Sequence, residues 1–387
     1  MAHLTDPVPP SPAFGPADHA WMRAALALAK RGLGRVAPNP AVGCILVRPD
    51  LGDPLCGGRV VGRGWTQPGG RPHAEAETLA QAGALSKGAH AYVTLEPCSH
   101  QGKTAPCADA LISAGVTHVT VAMIDPDPRV SGSGVARLKD AGINVRTGLL
   151  SDAARVVNAG FLSTIERARP WLTMKTATAL DGTIAARTGE SQWITGPAAR
   201  RRGHLLRAEN DVILTGIGTV LADNPTLTCR LAGLEDRSPI RVVVDPRAET
   251  PVPSKLTESI DMAPLWIVTG PDAPEGKRND LRSVGAEVIS LPGSTGGRLN
   301  PGVILQTLAE RGITRVLLEA GGSLNASFMA ADLVDELAWF RAPSVIGADG
   351  TPAIAPMAVN SPATAPRFHR VATIDLDDDV LERYLRG

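Results

Sequence analysis

The 387-residue sequence predicts a chain of two α/β domains arranged one after the other. Short apolar runs rich in β-branched residues alternate with stretches of helical periodicity, which favours sheets covered by helices. A chain of this length ordinarily forms two domains of roughly 100–200 residues each. The segment RARP interrupts the alternation at Pro170, because proline disfavours helical backbone in the residue before it.

The first series of elements is predicted to run from Ala17 to about residue 150. Residues 1–16 contain five prolines and no apolar periodicity, so we expect a disordered tail. A helix is predicted for ADHAWMRAALALAKRG, ending at Gly32, and another for HAEAETLAQAGAL, opening at His73. The predicted strands are GCILVR, RVVGRGW, AHAYVTLEP, VTHVTVAMID and INVRTGL. Helices at APCADALISAG and GVARLKDAG lie between the later strands, and the alternation predicts a mainly parallel sheet.

Residues 151–170 are predicted to form a helical connector, and residues 171–387 the second domain. Its candidate strands are WLTMKTA, DVILTG, IRVVVD, LWIVTG, AEVIS, ITRVLLEA and DELAWFR. Helical patterns, such as GPAARRRGHLLRAEN and SLNASFMAADLVDEL, separate some of them. Residues 248–300 give the weakest pattern, because proline, glycine and polar residues are frequent there.

Composition narrows the classes of function. The chain carries 39 basic and 39 acidic residues, and only 3% of its residues are aromatic. It therefore lacks the charge and the stacking residues of a general nucleic-acid binder. Five cysteines are an unlikely basis for a disulfide framework, and neither a signal peptide nor a membrane-spanning run is predicted. We expect a cytoplasmic, homo-oligomeric protein.

The segments PHAEAETL and TLEPCSHQGKTAPCADAL contain a candidate zinc site. His73, Cys98 and Cys107 supply one nitrogen and two sulfur ligands, and a catalytic zinc keeps its fourth position open for water. Cys107 is predicted to begin a helix, whose dipole lowers a thiol pKa, so we expect it to bind metal readily as thiolate. Glu75 is predicted to take a proton from the water and return it to a leaving amine.

Each of these residues alone is better explained as a buried cysteine or a core histidine. Their order, and their placement on a predicted helix start, strand end and helix start, match the signature of zinc-dependent deaminases. Nine positions separate Cys98 from Cys107, whereas nucleic-acid and cytidine deaminases have the closer C-x-x-C spacing. His100, between them, is a rival ligand. The remaining cysteines are interpreted as structural: Cys44, Cys56 and Cys229.

At these residues the sequence resembles the bifunctional deaminase/reductase family of riboflavin biosynthesis, which has the same long cysteine spacing. The resemblance extends from about Ala17 to about Gly350. In the first half it lies in APNPAVG, GGRPHAE, YVTLEPCSHQGKTAPC and AMIDPDPRVSGSG. In the second half it lies in LTMKTATALDGTIA, GESQWITGPAARR, LLRAENDVILTGIGTVLADNPTLTCR and LLEAGGSL.

The resemblance implies a fold and two reactions. A cytidine-deaminase-like α/β/α domain at 17–150 would use zinc to remove the 2-amino group of a diaminopyrimidinone that carries phosphoribosylamine. A dihydrofolate-reductase-like α/β domain at 171–387 would then use NADPH to reduce the ribosyl group to ribityl. The expected partner is a small phosphorylated pyrimidine, with neither nucleic acid nor membrane.

The resemblance also implies roles for single residues. Asn39, Lys103 and Asp125 would contact the deaminase substrate, although a solvated loop is the commoner location of a lysine such as Lys103. Thr66 stands where the family usually has histidine, and Asp127 where it usually has asparagine. NADPH would be bound by Ala177, Trp193, Thr219, Asp223, Gly321, Gly322, Ser323, Leu324, Asn325, Ala326 and Ser327. The reductase substrate would be bound by Ser191, Arg207, Leu227, Arg230 and Glu319.

The residues of the second half also allow a physical interpretation. DVILTGIGTVLAD and RVLLEAGGSLNASF each combine a strand, a glycine turn and a helix start, where backbone amides bind phosphate. The first has only G-x-G, so an ordinary strand-to-helix connection is the alternative. Lys175 and Asp181 flank a strand end and are the candidate acid/base residues; a pair at the edge of the core is the alternative. The resemblance further implies that Pro246 stands where the family usually has serine, so one hydrogen bond to the cofactor is expected to be lost.

Two other functions compete with this interpretation. A nucleic-acid or nucleoside deaminase with an unrelated C-terminal domain is disfavoured by the neutral charge and the scarcity of aromatic residues. A deaminase whose second domain only binds a nucleotide, or only holds a dimer together, is disfavoured by the motifs LDG, SQWITG and TVLADNP.

Overall fold

The computed structural model describes residues 14–52, 57–99, 105–128, 130–293 and 297–387. The chain divides into two compact units, one ending at Ile165 and the other beginning at Glu166. Each unit has its own sheet and its own hydrophobic core. Most of the predicted N-terminal tail, together with Cys56, His100 and Lys103, lies outside the described residues.

Every helix and strand predicted between residues 17 and 150 is present in the first unit. Its helices are α1 (Pro16–Ala29), α2 (Ala74–Ala82), α3 (Cys107–Ser113), α4 (Ser133–Asp140), α5 (Ser151–Val157) and α6 (Ala159–Arg167), the last of which crosses into the second unit. Its strands are β1 (Gly43–Arg48), β2 (Arg59–Trp65), β3 (His90–Val93), β4 (His118–Val121) and β5 (Asn144–Thr147).

The sheet of the first unit has the order β2-β1-β3-β4-β5. Strands β3, β4 and β5 are parallel, but β1 is antiparallel to both of its neighbours. The prediction of a mainly parallel sheet is therefore wrong for the part of the sheet formed by β2, β1 and β3. The reason is that a turn-rich segment, without a crossover helix, joins β1 to β2, and such a connection produces a hairpin.

Glycines allow α1 and α2 to approach the sheet from opposite faces. A Cβ at Gly43 would lie 2.0 Å from the carbonyl oxygen of Ala25 in α1, and one at Gly64 would lie 2.6 Å from that of Ala74 in α2. Gly64 pairs with Cys44, the residue after Gly43, and successive residues of a strand point to opposite faces. The lack of side chains thus brings the first turn of α2 close to the sheet.

The predicted connector forms helices that belong largely to the first unit. Ala154, Val157 and Leu162 of α5 and α6 are buried in its core. The buried side chain of Asn158, between the two helices, accepts a hydrogen bond of 2.9 Å from the amide of Ala41. The boundary between the units therefore falls near the end of the segment 151–170.

The second unit has all the strands predicted for it and some that were not predicted. Its strands are β6 (Trp171–Thr178), β7 (Thr183–Ala185), β8 (Val212–Gly216), β9 (Ile240–Val244), β10 (Leu265–Thr269), β11 (Glu287–Ser290), β12 (Arg315–Leu318), β13 (Glu336–Arg341), β14 (Thr351–Pro352), β15 (Phe368–Leu376) and β16 (Asp379–Arg386). Its helices are α7 (Pro197–Ala208), α8 (Ile217–Asp223), α9 (Glu275–Ser283), α10 (Pro301–Glu310) and α11 (Gly322–Ala330).

Nine strands form the main sheet of this unit, in the order β11-β10-β9-β8-β12-β6-β13-β16-β15. The seven strands from β11 to β13 are parallel, and the C-terminal hairpin β15–β16 is antiparallel. In a parallel sheet the carboxyl ends of the strands lie at one edge, where ligands of α/β proteins bind. No helix of the described residues has the length and apolarity needed to cross a membrane.

Candidate active sites of the two units

His73, Cys98 and Cys107 form a three-residue cluster in the first unit. His73 Nδ1 lies 3.3 Å from the Sγ of Cys107 and 3.7 Å from the Sγ of Cys98, and all three atoms lie within 4.8 Å of one another. In a tetrahedral zinc site, with Zn–N of about 2.0–2.1 Å and Zn–S of about 2.3 Å, the N···S separation is about 3.6 Å. Both N···S distances are therefore close to those of a zinc site.

The local folds explain why these three residues meet. His73 is the N-cap of α2, Cys107 is the first residue of α3, and Cys98 lies on the segment that follows β3. The amide of Cys107 donates to the Sγ of Cys98 at 3.3 Å, and the amide of Ala108 donates to the carbonyl of Cys98 at 3.2 Å. These two hydrogen bonds at the start of α3 thus hold the thiol of Cys107 beside that of Cys98.

The start of α3, which is expected to favour a thiolate at Cys107, acts on Cys98 as well. A hydrogen bond from Cys107 lowers the pKa of Cys98 to about 4, and the same bond raises the pKa of Cys107. The backbone amide at the helix start points at the Sγ of Cys98, so the helix stabilises charge on its neighbour. Zinc binding deprotonates both thiols, because the thiolate is the metal ligand.

Glu75 lies in the first turn of α2 beside this cluster. Its side chain is only 3% exposed and hydrogen-bonds with the thiol of Cys107. Burial is the main cause that raises its pKa to about 7, followed by the charge of Cys98. The carboxyl group is therefore next to the metal ligands without being needed to complete the histidine–cysteine–cysteine set.

Glu96 is a buried residue of the first unit that the sequence analysis missed. Its Oε2 accepts hydrogen bonds from the amides of Asp125, at 3.2 Å, and Gly132, at 2.9 Å; its Oε1 accepts one from Val135, at 3.0 Å. Gly132 is the N-cap of α4, so this carboxylate caps that helix from a distant part of the chain. It joins the segment that carries Cys98 to the loop that carries Asp125.

Replacing Glu96 with glutamine is expected to destabilise the first unit by about 1–3 kcal/mol, because at least one buried amide loses its acceptor. Thermal unfolding measures the loss, and deamination should fall with it. Reduction of a deaminated substrate, catalysed by the second unit, is the internal control and should not change. An unaltered melting temperature would show that the three hydrogen bonds do not support this loop.

The other deaminase predictions lie on segments that flank the cluster. A Cβ at Gly70 would overlap the side chain of Asn39, so Asn39 lies against the GGRPHAE segment. Asp125 and Asp127 are buried, and Asp125 Oδ1 accepts the amide of Asp127 at 2.9 Å. The buried hydroxyl of Thr66 accepts a hydrogen bond of 3.0 Å from the amide of Val42.

A cavity of about 720 Å³ opens in the second unit at the carboxyl ends of its parallel strands. Strands β6, β12, β8 and β9 contribute to its wall, together with the loops that follow them. Thirteen of the residues predicted for the cofactor, the substrate or proton transfer line it. Eleven of them are Lys175, Ala177, Ser191, Arg207, Thr219, Asp223, Leu227, Glu319, Gly321, Gly322 and Ser323. Leu324 and Ser327 of the same glycine loop and helix also line it.

The charged group of this cavity consists of Lys175, Arg207 and Glu319. Arg207 donates from Nε and Nη2 to the two carboxylate oxygens of Glu319, at 2.8 and 2.9 Å, and Lys175 Nζ lies 3.5 Å from Oε2. Burial alone would raise the pKa of Glu319, but the charges of Arg207 and Lys175 outweigh it and hold that pKa below its usual range. Two cations therefore surround one carboxylate.

The cavity also fits a phosphate-bearing cofactor. Gly321 is the N-cap of α11 with an ordinary φ of −72°, and a Cβ there would point toward Thr219, 3.9 Å from its Oγ1. A Cβ at Gly218 would meet no atom within 4 Å. Both glycine loops thus leave open space beside backbone amides, where the oxygens of a dinucleotide can approach.

Five predicted residues lie outside the lining of this cavity. Asp181 accepts hydrogen bonds from Thr183 and from the amides of Ile346 and Gly347, which lowers its pKa to about 2. Trp193 is 67% exposed, with the guanidinium of Arg200 over its ring. The others are Arg230, Asn325 and Ala326.

Two of these have contacts of their own. Nδ2 of Asn325 donates to the carbonyls of Ala320 and Ala353, at 3.1 and 2.9 Å, so this side chain ties the loop before α11 to the residue after β14. Burial lowers the pKa of Arg230, and the charges of Arg207 and Glu319 act on it as well. Arg230 therefore lies within electrostatic range of the charged group.

Comparison with known proteins agrees with the geometry of both sites. Residues 16–123 match the cytidine and deoxycytidylate deaminase zinc-binding region, and residues 170–380 match the RibD C-terminal domain. The riboflavin biosynthesis protein RibD of Bacillus amyloliquefaciens is 40% identical over 86% of each chain. That of Escherichia coli is 40% identical over 91% of this chain and 94% of its own.

Solved structures of RibD proteins are also similar to this chain. The Acinetobacter baumannii RibD structure superposes with a TM-score of 0.83 at 36% identity, covering 96% of this chain and 99% of that one. A Thermotoga maritima diaminohydroxyphosphoribosylaminopyrimidine deaminase/5-amino-6-(5-phosphoribosylamino)uracil reductase gives 0.81 at 31% identity, with the same coverage.

These matches confirm the predicted order of a cytidine-deaminase-like domain followed by a reductase domain. They exclude the alternative of a nucleic-acid deaminase with an unrelated C-terminal domain. The chain belongs to the RibD family, and it is a bifunctional deaminase and reductase of riboflavin biosynthesis that uses zinc and NADPH.

Proposed function

We propose that each reaction takes place within one unit, deamination at His73, Cys98, Cys107 and Glu75 and reduction at the cavity around Lys175 and Glu319. The substrate class of the family is a small phosphorylated pyrimidine. The finer assignment is 2,5-diamino-6-(5-phosphoribosylamino)pyrimidin-4-one, followed by reduction of the ribosyl group of its product. The observation that supports this division best is that each unit gathers its own set of charged or metal-binding groups.

In the first unit, His73, Cys98 and Cys107 would hold the zinc ion through one nitrogen and two sulfurs. Zinc, when bound, acts as a Lewis acid that makes water a better nucleophile at neutral pH. Glu75 accepts a proton from water as its oxygen adds to carbon 2 of the pyrimidine, and passes a proton to the amino nitrogen, which leaves as ammonia. The reaction consumes water and the amino-substituted pyrimidine and yields the carbonyl product and ammonia.

Substrate binding in the first unit is assigned to Asn39, Lys103 and Asp125. Asn39 and Asp125 lie on the two segments packed against GGRPHAE and against Glu96. Because Thr66 is bonded to the backbone and Asp127 is acidic, neither replaces the contact that the usual histidine or asparagine would make with a phosphate. We therefore assign the phosphate to Lys103 as a point charge.

In the second unit, Lys175 is the proposed proton donor. Reduction of ribosyl to ribityl takes up one hydride and one proton, and NADPH supplies the hydride when it is bound. Glu319 holds the ammonium group of Lys175 at the wall of the cavity, and Arg207 fixes the carboxylate of Glu319 from the other side. We place proton transfer on Lys175 rather than on Asp181, because Asp181 does not line the cavity.

Replacing Gly321 with valine tests the cofactor part of the proposal. The backbone at Gly321 suits any residue, and a valine side chain would point into the open space beside Thr219. NADPH affinity should fall at least about tenfold, since loss of one charge-assisted hydrogen bond costs about 1.5–3 kcal/mol. Zinc content and deamination should not change. Binding is measured by the NADPH-dependent rise in melting temperature.

Gly322 is the matched control one residue later. A Cβ at Gly322 would lie 2.6 Å from the carbonyl oxygen of Pro352, so Gly322→Ala should lower the melting temperature even without NADPH. Gly321→Val should leave the cofactor-free melting temperature near that of the wild type. If saturating NADPH does not stabilise the wild-type protein at all, the assignment of NADPH to this cavity is wrong.

The complete proposal is tested by supplying the diaminopyrimidine phosphate to zinc-loaded protein with and without NADPH. Ammonia should be released in both cases, and the ribityl product should form only with NADPH. Ammonia release that requires NADPH would contradict two independent sites.

The cytoplasmic location and the homo-oligomeric state are further proposals. Four cysteines of the described residues are free, namely Cys44, Cys98, Cys107 and Cys229, which suits a reducing compartment. Cys44 and Cys229 are buried, as expected of structural cysteines. Sedimentation measures the oligomeric state.

A further inference from the structure

The cavity of the second unit is elongated along the sheet. Its lining includes Lys175 and Glu319 at β6 and β12, and Val244 and Pro246 at β9. Two strand intervals separate β12 from β9, and three separate β6 from β9, a width of about 14 Å at ~4.8 Å per interval. One end of the cavity is therefore charged and close to Glu319, while the other lies at β9.

The chemistry of the proposed reduction sets the direction of the cofactor in this cavity. The hydride-donating end must reach the sugar near Lys175 and Glu319, so the adenosine end must extend toward β9. The two glycine loops follow β8 and β12, the strands between those ends, which is where the linking phosphates would lie.

The β9 end is built from apolar residues and one cation. The amide of Gly270 donates to the carbonyl of Pro246 at 3.0 Å, and a Cβ at Gly270 would lie 3.9 Å from the side chain of Leu299. Arg298, the residue before Leu299, also lines the cavity and is exposed. Pro246 has no amide hydrogen and no polar side-chain atom to offer a ligand.

Three cationic side chains line the cavity: Lys175, Arg207 and Arg298. The first two interact with Glu319 at the substrate end. Arg298 is the cation at the end where adenosine would lie. NADPH differs from NADH only in a phosphate on the 2′-hydroxyl of that adenosine, and an arginine guanidinium binds phosphate through two parallel hydrogen bonds.

We infer that Arg298 binds the 2′-phosphate of NADPH and so makes the reductase prefer NADPH over NADH. This inference rests on the proposed reductase function of the cavity. It also explains how the chain retains a contact at this end of the cofactor although Pro246 stands in place of a serine.

The test is the ratio of kcat/KM for NADPH to kcat/KM for NADH, measured on deaminated substrate with the full chain. Arg298→Ala should lower kcat/KM for NADPH about tenfold, through KM, and leave the NADH value within about twofold. The kcat/KM of Arg298→Lys for NADPH should lie between those of the wild type and Arg298→Ala, because lysine keeps the charge without the paired hydrogen bonds. In the wild type, raising the ionic strength should weaken the NADPH preference, and in Arg298→Ala it should not.

Two control variants carry the same change of charge elsewhere. Lys277→Ala removes an exposed cation of α9 outside the cavity lining and should keep the wild-type ratio. Arg247→Ala removes the exposed cation next to Pro246, which does not line the cavity, and should keep it as well. A loss of preference in Arg247→Ala with none in Arg298→Ala would overturn the inference.

Other outcomes separate the inference from the function on which it rests. An equal loss of both cofactors in Arg298→Ala, or an unchanged ratio, rejects the role of Arg298 while the wild type still reduces its substrate. Failure of the wild type to bind either cofactor rejects the assignment of the reductase site to this cavity.

Discussion

Replacing Glu75 with glutamine is expected to slow deamination by at least about 100-fold while the protein keeps its zinc, since general acid–base catalysis typically contributes 10²–10⁴-fold. Glutamine has the shape of glutamate but cannot accept and return a proton. Glu75 lies beside Cys107 in the first turn of α2, and three other side chains are the proposed metal ligands. Ammonia release measures the rate, and metal analysis of the purified protein measures the zinc.

Glu77→Gln is the matched control for this change, since Glu77 lies on the same helix two residues later and outside the cluster. It should retain both zinc and deamination. Reduction of deaminated substrate should be normal in both variants. Stoichiometric loss of zinc in Glu75→Gln would mean that Glu75 is a ligand, and its assigned role would be wrong.

Replacing Cys98 with serine is expected to abolish deamination and leave reduction intact. A serine hydroxyl does not ionise near neutral pH, so the site loses the thiolate that the start of α3 stabilises. Loss of the metal removes several kcal/mol of transition-state stabilisation, which corresponds to at least about 10³-fold in rate. Zinc content should fall with the activity, and a chelator should reproduce the effect on the wild type.

Reduction of deaminated substrate by the same preparation shows whether the sites are independent. Cys229→Ser, in the second unit, is the control for zinc content and deamination and should leave both unchanged. If folded Cys98→Ser protein loses both activities, the two reactions share a site and the division between the units is wrong.

Local sequence patterns were sufficient to predict most elements and the metal ligands. Strand and helix periodicities of 2 and 3.6 residues are local properties, so β1 and α2 could be placed without knowing their neighbours. His73, Cys98 and Cys107 were recognisable because residue types and element ends recur in a known order. The C-terminal hairpin was missed because most residues of β15 alternate between half-buried and exposed, which leaves little apolar signal.

Other features depend on residues that are far apart in the chain. Glu96 meets Val135 across 39 positions, and Glu319 meets Arg207 across 112 and Lys175 across 144. These pairings follow from the order of strands in each sheet, which local sequence periodicity does not show. The same holds for the direction of β1, which its hairpin connection to β2 sets.

The candidate metal-binding residues were thus identified from the sequence alone, whereas the hydrogen bonds around their sulfur atoms were decided by the tertiary structure. Both thiols lie near the start of α3, and the sequence predicts that Cys107 binds metal readily as thiolate because it begins that helix. In the folded chain the amide of Cys107 points at the sulfur of Cys98. A helix dipole stabilises the charge that lies in front of its first amides, and only the path of the chain after β3 determines which sulfur occupies that position.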